Sequence, residues 1–197
     1  MNDSNQYFAG KAVPHNKVHS HWDCSIAARP AEGLVLEFGV YGATTTNYIA
    51  ERVSCKVYGF DSFEGLPENW NSLPRGFFKV GAAGMISNLP KVRENVELIV
   101  GMFEDTLPGF VKAHPEPISL MHVDCDLYSS TKTVFHYLGD RIVPGTIIMF
   151  DEYIDYPGWQ EHEFKAFHEY LAESGRAYQY WSFNPDTDAS RVSVRMG

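Results

Sequence analysis

The stretch YQYWSF (178–183), NPDTDAS (184–190), RVSVR (191–195) lies at the end of the chain, and its reading decides the fold. The outer pieces carry the aromatic and β-branched residues of strands, and the polar segment between them is turn-like. A parallel crossover needs at least ~10–12 residues and usually a helix, so this gap is too short for one. The last two strands must therefore form an antiparallel hairpin at the edge of a sheet. A dinucleotide-type Rossmann domain would place another crossover helix here.

Working back from that hairpin, short apolar runs at 34–38, 57–60, 96–100, 118–123 and 146–150 each end at a Gly or an acidic residue or run into one. Helical spacing follows or separates them at 45–53, 103–113, 131–140 and 160–173; in the last, Phe164, Phe167, Tyr170 and Leu171 recur at three- and four-residue steps. Strands alternating with helices predict a parallel sheet covered on both faces. The expectation is an α/β fold with a mostly parallel seven-stranded sheet, closed by the antiparallel pair. Residues 1–32 are polar, with His15, His19 and His21, and are expected to form an N-terminal arm or partial lid whose histidines could meet a substrate; 33–197 form the domain. The irregular stretch 62–95 is rich in Gly, Pro and aromatics, the mark of a functional loop. Its Trp70, Phe77 and Phe78 either wall an acceptor site or pack beneath the loop.

The 197 residues are 44% hydrophobic, enough for a buried core. With 16 basic and 25 acidic side chains, the net charge of −9 argues against nucleic acid and anionic membranes as partners. Cys24, Cys55 and Cys125 are odd in number and lack CxxC spacing, so no disulfide framework is expected. No apolar run approaches ~18 residues, and MNDSNQYFAG lacks a secretion profile, so a cytoplasmic location is expected.

Two places carry chemistry. The first strand runs into Gly39 and Gly42, where a ligand can approach the backbone, and Asp61 follows 22 residues after Gly39 at the end of the second strand. A carboxylate there can accept hydrogen bonds from ribose hydroxyls, which suits NAD and S-adenosylmethionine equally. The fourth and fifth runs end in Asp124-Cys125-Asp126 and Asp151-Glu152. Strand ends ~4.8 Å apart would bring these acids together. Oxygen-only ligands of this kind favour a hard ion such as Mg²⁺, with Ca²⁺ or Mn²⁺ as alternatives. Tyr156 and Trp159 follow these acids and could close over the ion. Cys125, between two acids, should have a raised thiol pKa and be a poor nucleophile. The pair His162-Glu163 has its next histidine at 168, the wrong spacing for a zinc helix, and is read as the surface of an amphipathic helix.

EFGVYGATT (37–45), YGFDSFEGLPENW (58–70), GMFEDTLPGF (101–110), HVDCDLYSST (122–131) and PGTIIMFDEY (144–153) together resemble the macrocin O-methyltransferase (TylF/NovP-like) family of class I S-adenosylmethionine-dependent methyltransferases. The resemblance implies a Rossmann-like methyltransferase fold and O-methylation of a small hydroxylated acceptor, a sugar or catechol-like diol. It implies that Glu37, Gly39 and Tyr41 line the methionine part of S-adenosylmethionine, with Val40 and Asp124 also in the donor site, and that Asp61 holds the ribose. Ser62, Phe63, Gly101, Met102 and Phe103 would surround the adenine. Asp124, Asp151 and Glu152 would hold Mg²⁺, and Asp126 would be the general base. The chain departs from the family at GVYGATT, where Thr44 replaces a frequent glycine, and at DEY in place of DDY, where Glu152 reaches one methylene further. Family members often form dimers, so a homodimer is expected. Two other readings stay open: a nicotinamide-dependent oxidoreductase, which needs a parallel sixth strand, and a catalytically silent S-adenosylmethionine binder.

Overall fold

LVLEF becomes the central strand because all five of its side chains are buried, as a strand covered on both faces requires. The computed structural model describes residues 4–186 and 189–197. In chain order its elements are α1 (Ser4–Tyr7), β1 (Val13–Pro14), α2 (Val18–Ala28), β2 (Leu34–Phe38), α3 (Thr44–Arg52), β3 (Val57–Asp61), β4 (Val96–Val100), α4 (Phe103–Ala113), β5 (Ile118–Val123), α5 (Tyr128–Leu138), β6 (Ile142–Ile154), α6 (Glu163–Ser174), β7 (Tyr178–Asn184) and β8 (Ser190–Met196). They build one eight-stranded sheet in the order β1-β7-β8-β6-β5-β2-β3-β4. β8 runs antiparallel to both β6 and β7, and every other pairing is parallel. The expected terminal hairpin is present, and among the described residues there is no parallel sixth strand of the kind an oxidoreductase would need; Thr187 and Asp188, between β7 and β8 in sequence, lie outside the described residues.

Sequence reading expected seven strands. The eighth is β1, two residues that pair in parallel with Ser182 and Phe183 of β7. A two-residue strand offers no alternation to detect, and Pro14 has no amide to extend it.

The segment expected as an arm instead packs onto the body. Phe8 is fully buried against Tyr180 and Phe183, and Trp22 and Ile26 of α2 join the core on one face of the sheet. His21 is 1% exposed and bonds Ser182 at 2.9 Å, while His19 stacks on Tyr48. None of the three N-terminal histidines lines the main cleft.

α2 and α3 cover the face carrying Val35, Val57, Leu120, Ile147 and Met149. The opposite face carries Leu36, Phe38, Phe60, Val123 and Phe150 beneath α4, α5 and α6. β6 is longer than the expected 146–150 and runs past Asp151 and Glu152, so these neighbours point to opposite sides of the sheet. Among the described residues no helix is long and apolar enough to cross a membrane.

Candidate active site

The ladder continues beyond the strand ends. Gly39 N–H donates to the Phe60 carbonyl, Gly101 N–H to that of Asp61, and Asp124 N–H to that of Phe38, at 2.8–3.0 Å. These bonds bring Gly39, Asp61, Gly101 and Asp124 to one edge of the sheet. Gly39 has a φ of +90°, and a Cβ there would sit 1.7 Å from the Asp124 carbonyl oxygen. Only glycine permits this approach of two strand ends.

Asp61 closes the first turn from below. Its Oδ2 accepts the amides of Val40 and Tyr41, each at 2.8 Å, and its Oδ1 accepts that of Phe63 at 2.7 Å. The carboxylate thus anchors the glycine turn, and the remaining lone pair of Oδ1 is what it can offer a ribose hydroxyl. A cleft of about 530 Å³ opens above this edge.

Of the residues expected for a donor site, Gly39, Tyr41, Asp61, Ser62, Gly101, Met102, Phe103 and Asp124 line the cleft. Three do not. Val40 and Phe63 pack with Ala43 in a small apolar cluster, and their amides donate to Asp61. Glu37 lies inside the sheet, 1% exposed, where it accepts hydrogen bonds from the Thr46 hydroxyl and, at 3.0 Å, from His122 Nδ1. It supports the rim from beneath.

The rim acids divide by pleat. Asp151 falls on the α2/α3 side, where Arg191 donates from Nε at 2.8 Å and from Nη2 at 3.2 Å, and His122 Nε2 stands 3.8 Å away. Burial would raise the Asp151 pKa, but these two cations hold it well below the usual carboxylate range. Burial likewise opposes the charge on His122, yet Asp151 and Glu37 raise it to about 10, so it is an imidazolium. A row of alternating charge, Glu37–His122–Asp151–Arg191–Asp186, therefore crosses β2, β5, β6 and β8.

The other acids face the cleft; His122 lies within 4.8 Å of Asp124, and no lysine or arginine forms an ion pair with them among the described residues. Asp124, Asp126 and Glu152 have ligand oxygens within 4.8 Å of one another. Asp126 sits at φ +62° and its carboxyl is pushed up to about 7, by burial first and then by the charges of Asp151 and Asp61. Burial and the Asp151 charge push Asp124 and Glu152 well above the carboxylate range. Glu152 Oε2 is buried with no hydrogen-bond partner. Carboxylates packed this closely need a cation or shared protons. The expected set of Asp124, Asp151 and Glu152 is therefore not assembled: Asp151 is bound by Arg191, and Asp126 stands in its place.

Trp70 and Phe78 wall the cleft, with Ser129, Ser130 and Thr133 of α5 on the far side. Glu68 accepts a 2.6 Å bond from Ser129, tying the long loop to α5 across the mouth. Phe77 is not in the lining but packs on Phe78, and Trp159 packs on Phe164 of α6. Burial, then the Glu163 charge, raises the Cys125 thiol, in line with an inert cysteine. Glu163 itself overturns the expectation of a surface position, being 0% exposed at the start of α6. Amphipathic spacing misplaced it because residues 159–161 form a separate 3₁₀ turn and the helix begins at Glu163. His122 and Arg191 were not recognised as rim residues, because the partners that define them lie on other strands.

Residues 85–174 match the family model described as macrocin-O-methyltransferase (TylF). A 112-residue stretch is 31% identical to the 8-demethyl-8-(2,3-dimethoxy-alpha-L-rhamnosyl)-tetracenomycin-C 4'-O-methyltransferase of Streptomyces olivaceus; it covers 50% of this chain and 42% of that protein. The chain thus matches less than half the length of this relative. Among solved structures, the calicheamicin methyltransferase CalS11 superposes with a TM-score of 0.67 at 21% identity, over 90% of this chain and 76% of that one. The O-methyltransferase NovP does so with a TM-score of 0.60 at 20% identity, over 90% and 78% of the respective chains. Segment 85–174 is thus similar to the macrocin-O-methyltransferase family, and the chain, with its parallel core and antiparallel terminal strand, has the fold of these solved methyltransferases.

Proposed function

We propose that this protein transfers the methyl group of S-adenosylmethionine to a hydroxyl oxygen of a small acceptor, with help from a divalent cation. One observation carries the reading: a single cleft joins the Gly39–Asp61–Gly101 edge to the Asp124–Asp126–Glu152 cluster. The first part suits a nucleoside donor, and the second suits activation of an oxygen.

The donor set fits a hard cation, since it is all oxygen and Glu152 Oε2 is buried without a partner. Asp124 and Glu152 would hold the ion, which would lower the pKa of a coordinated hydroxyl. Mg²⁺ is the ion proposed. S-adenosylmethionine supplies an electrophilic methyl whose C–S electrons return to sulfur, leaving S-adenosylhomocysteine. Tyr41, Ser62, Met102 and Phe103 enclose the donor; Trp70 and Phe78 exclude water on the acceptor side. Asp126 accepts the acceptor's proton as the new C–O bond forms, a role worth about 10²–10⁴-fold.

Calorimetry with S-adenosylhomocysteine, with and without Mg²⁺, is the first test. A labelled-methyl screen of sugars and catechol-like diols follows. Asp126→Asn should bind the product yet lose turnover. Failure of the parent protein to bind S-adenosylhomocysteine refutes the reading, and undiminished turnover in Asp126→Asn refutes the assigned base.

A further inference from the structure

Beside the cleft lies a group of buried polar atoms that the proposed reaction leaves unused. Glu163 is 0% exposed and neither of its carboxylate oxygens has a hydrogen-bond partner. Buried carboxylates in proteins are normally paired, because desolvating one alone is costly. The Tyr156 hydroxyl is also buried and unpartnered, on a side chain 7% exposed, and the charges acting on its phenol are those of Glu163, then Glu152 and Asp126. The Trp70 and His162 rings flank Tyr156 at 6.0 and 6.1 Å between centroids, and Trp70 Nε1 and His162 Nδ1 lack partners too. Trp70 and Glu152 both line the transfer cleft, so this annex adjoins it.

The charges of the rim point to the occupant. Arg191 is committed to Asp151 and Asp186, and His122 to Glu37 and Asp151. Among the described residues no lysine or arginine forms an ion pair with Asp124, Asp126, Glu152 or Glu163. A divalent cation at Asp124 and Glu152 would offset only two of these four acids. Glu163 would remain, with its charge acting on Tyr156, whose ring packs against that of Trp70. Carboxylate oxygens beside aromatic rings are the surroundings that an organic ammonium selects. Its N–H donors match the orphaned Oε1 and Oε2 of Glu163 and Oε2 of Glu152.

We propose that the acceptor is a hydroxylated amine, and that Glu163, with Tyr156, receives its protonated nitrogen while the neighbouring hydroxyl is presented to Asp126. The inference rests on the methyltransferase reading and names its substrate class. Glu163 acts here as a specificity residue and takes no part in bond making.

The test uses the full chain saturated with S-adenosylhomocysteine and Mg²⁺, titrated calorimetrically with trans-2-aminocyclohexanol and with trans-1,2-cyclohexanediol. The amino alcohol should bind about tenfold more tightly than the diol. Glu163→Gln should bring the two to parity, and Tyr156→Phe should narrow the gap, both with unchanged affinity for S-adenosylhomocysteine. Glu163→Gln should also raise the thermal midpoint of the free protein, which confirms that the variant folds and that the native carboxyl is held there at a cost in stability. Equal binding of the two probes, binding of neither, or a preference that survives Glu163→Gln overturns the inference. So does a second equivalent of Mn²⁺ that binds the parent protein and is lost in Glu163→Gln, since that assigns the annex to a metal. In each case S-adenosylhomocysteine binding still stands as the separate measure of the methyltransferase reading.

Discussion

Replacing Asp126 by Asn should make the metal-free protein more stable at alkaline pH while removing its activity. Asn suits the position, because the φ of +62° is one that Asn and Asp adopt more readily than other side chains. The Asp126 carboxyl lies at about 7 in the folded chain, against an ordinary 3.8. Below the ordinary value both folded and unfolded chains hold the proton, and no stability is lost. Between about 3.8 and about 7 the unfolded chain has released a proton that the folded chain keeps, so stability falls across that window and levels off above it. About three pH units at ~1.4 kcal/mol each give a loss of about 4 kcal/mol by pH 8. An unsatisfied amide in the variant costs about 1–3 kcal/mol, so a net gain of about 1–3 kcal/mol remains. For a chain of this size that is roughly 2–4 °C in Tm per kcal/mol. Urea unfolding at pH 4, 6 and 8 in a chelator would measure it. The gain should grow with pH, and Mg²⁺ should then stabilise the parent more than the variant. A variant less stable than the parent at pH 8, or a difference that does not change with pH, refutes the view of Asp126 as a strained carboxyl.

Gly39→Ala should abolish folding or S-adenosylhomocysteine binding, since its Cβ would overlap the Asp124 carbonyl; circular dichroism and calorimetry separate the two outcomes. Arg191→Met should destabilise the chain by about 3–5 kcal/mol by stripping Asp151 of its main cation, as read by guanidinium unfolding. Adding Asp151→Asn to that variant should recover much of the loss, because the uncompensated charge goes with it.

The sheet was legible where the chain itself carried the pattern. The runs at 34–38, 96–100 and 118–123 coincide with β2, β4 and β5 because they are apolar and bounded by turns. The terminal hairpin followed from the length of one gap. The ligand edge was legible because Gly39, Asp61, Gly101 and Asp124 each stand just at or after a strand end. What could not be read depended on partners distant in sequence. Asp151 looked like a free acid until Arg191, on a strand formed 40 residues later, was beside it. Glu37 looked like a lining residue until His122 and Thr46 enclosed it. Glu163 looked like a helix surface until the fold buried it completely, with its charge acting on Tyr156. The N-terminal segment was misread because Phe8, Trp22 and Ile26 are spaced too irregularly to announce a buried face.

The sorting of Asp151 from Glu152 depends on nothing in the two side chains except which way the backbone turns them. A slip of β6 by one residue against β5 would exchange them: the shorter acid would enter the cleft and the longer one would meet Arg191. Most of the sheet would still be apolar on both sides after such a slip, so the alternating charges at its rim act as an alignment key, penalising the wrong phase where the aliphatic interior discriminates least.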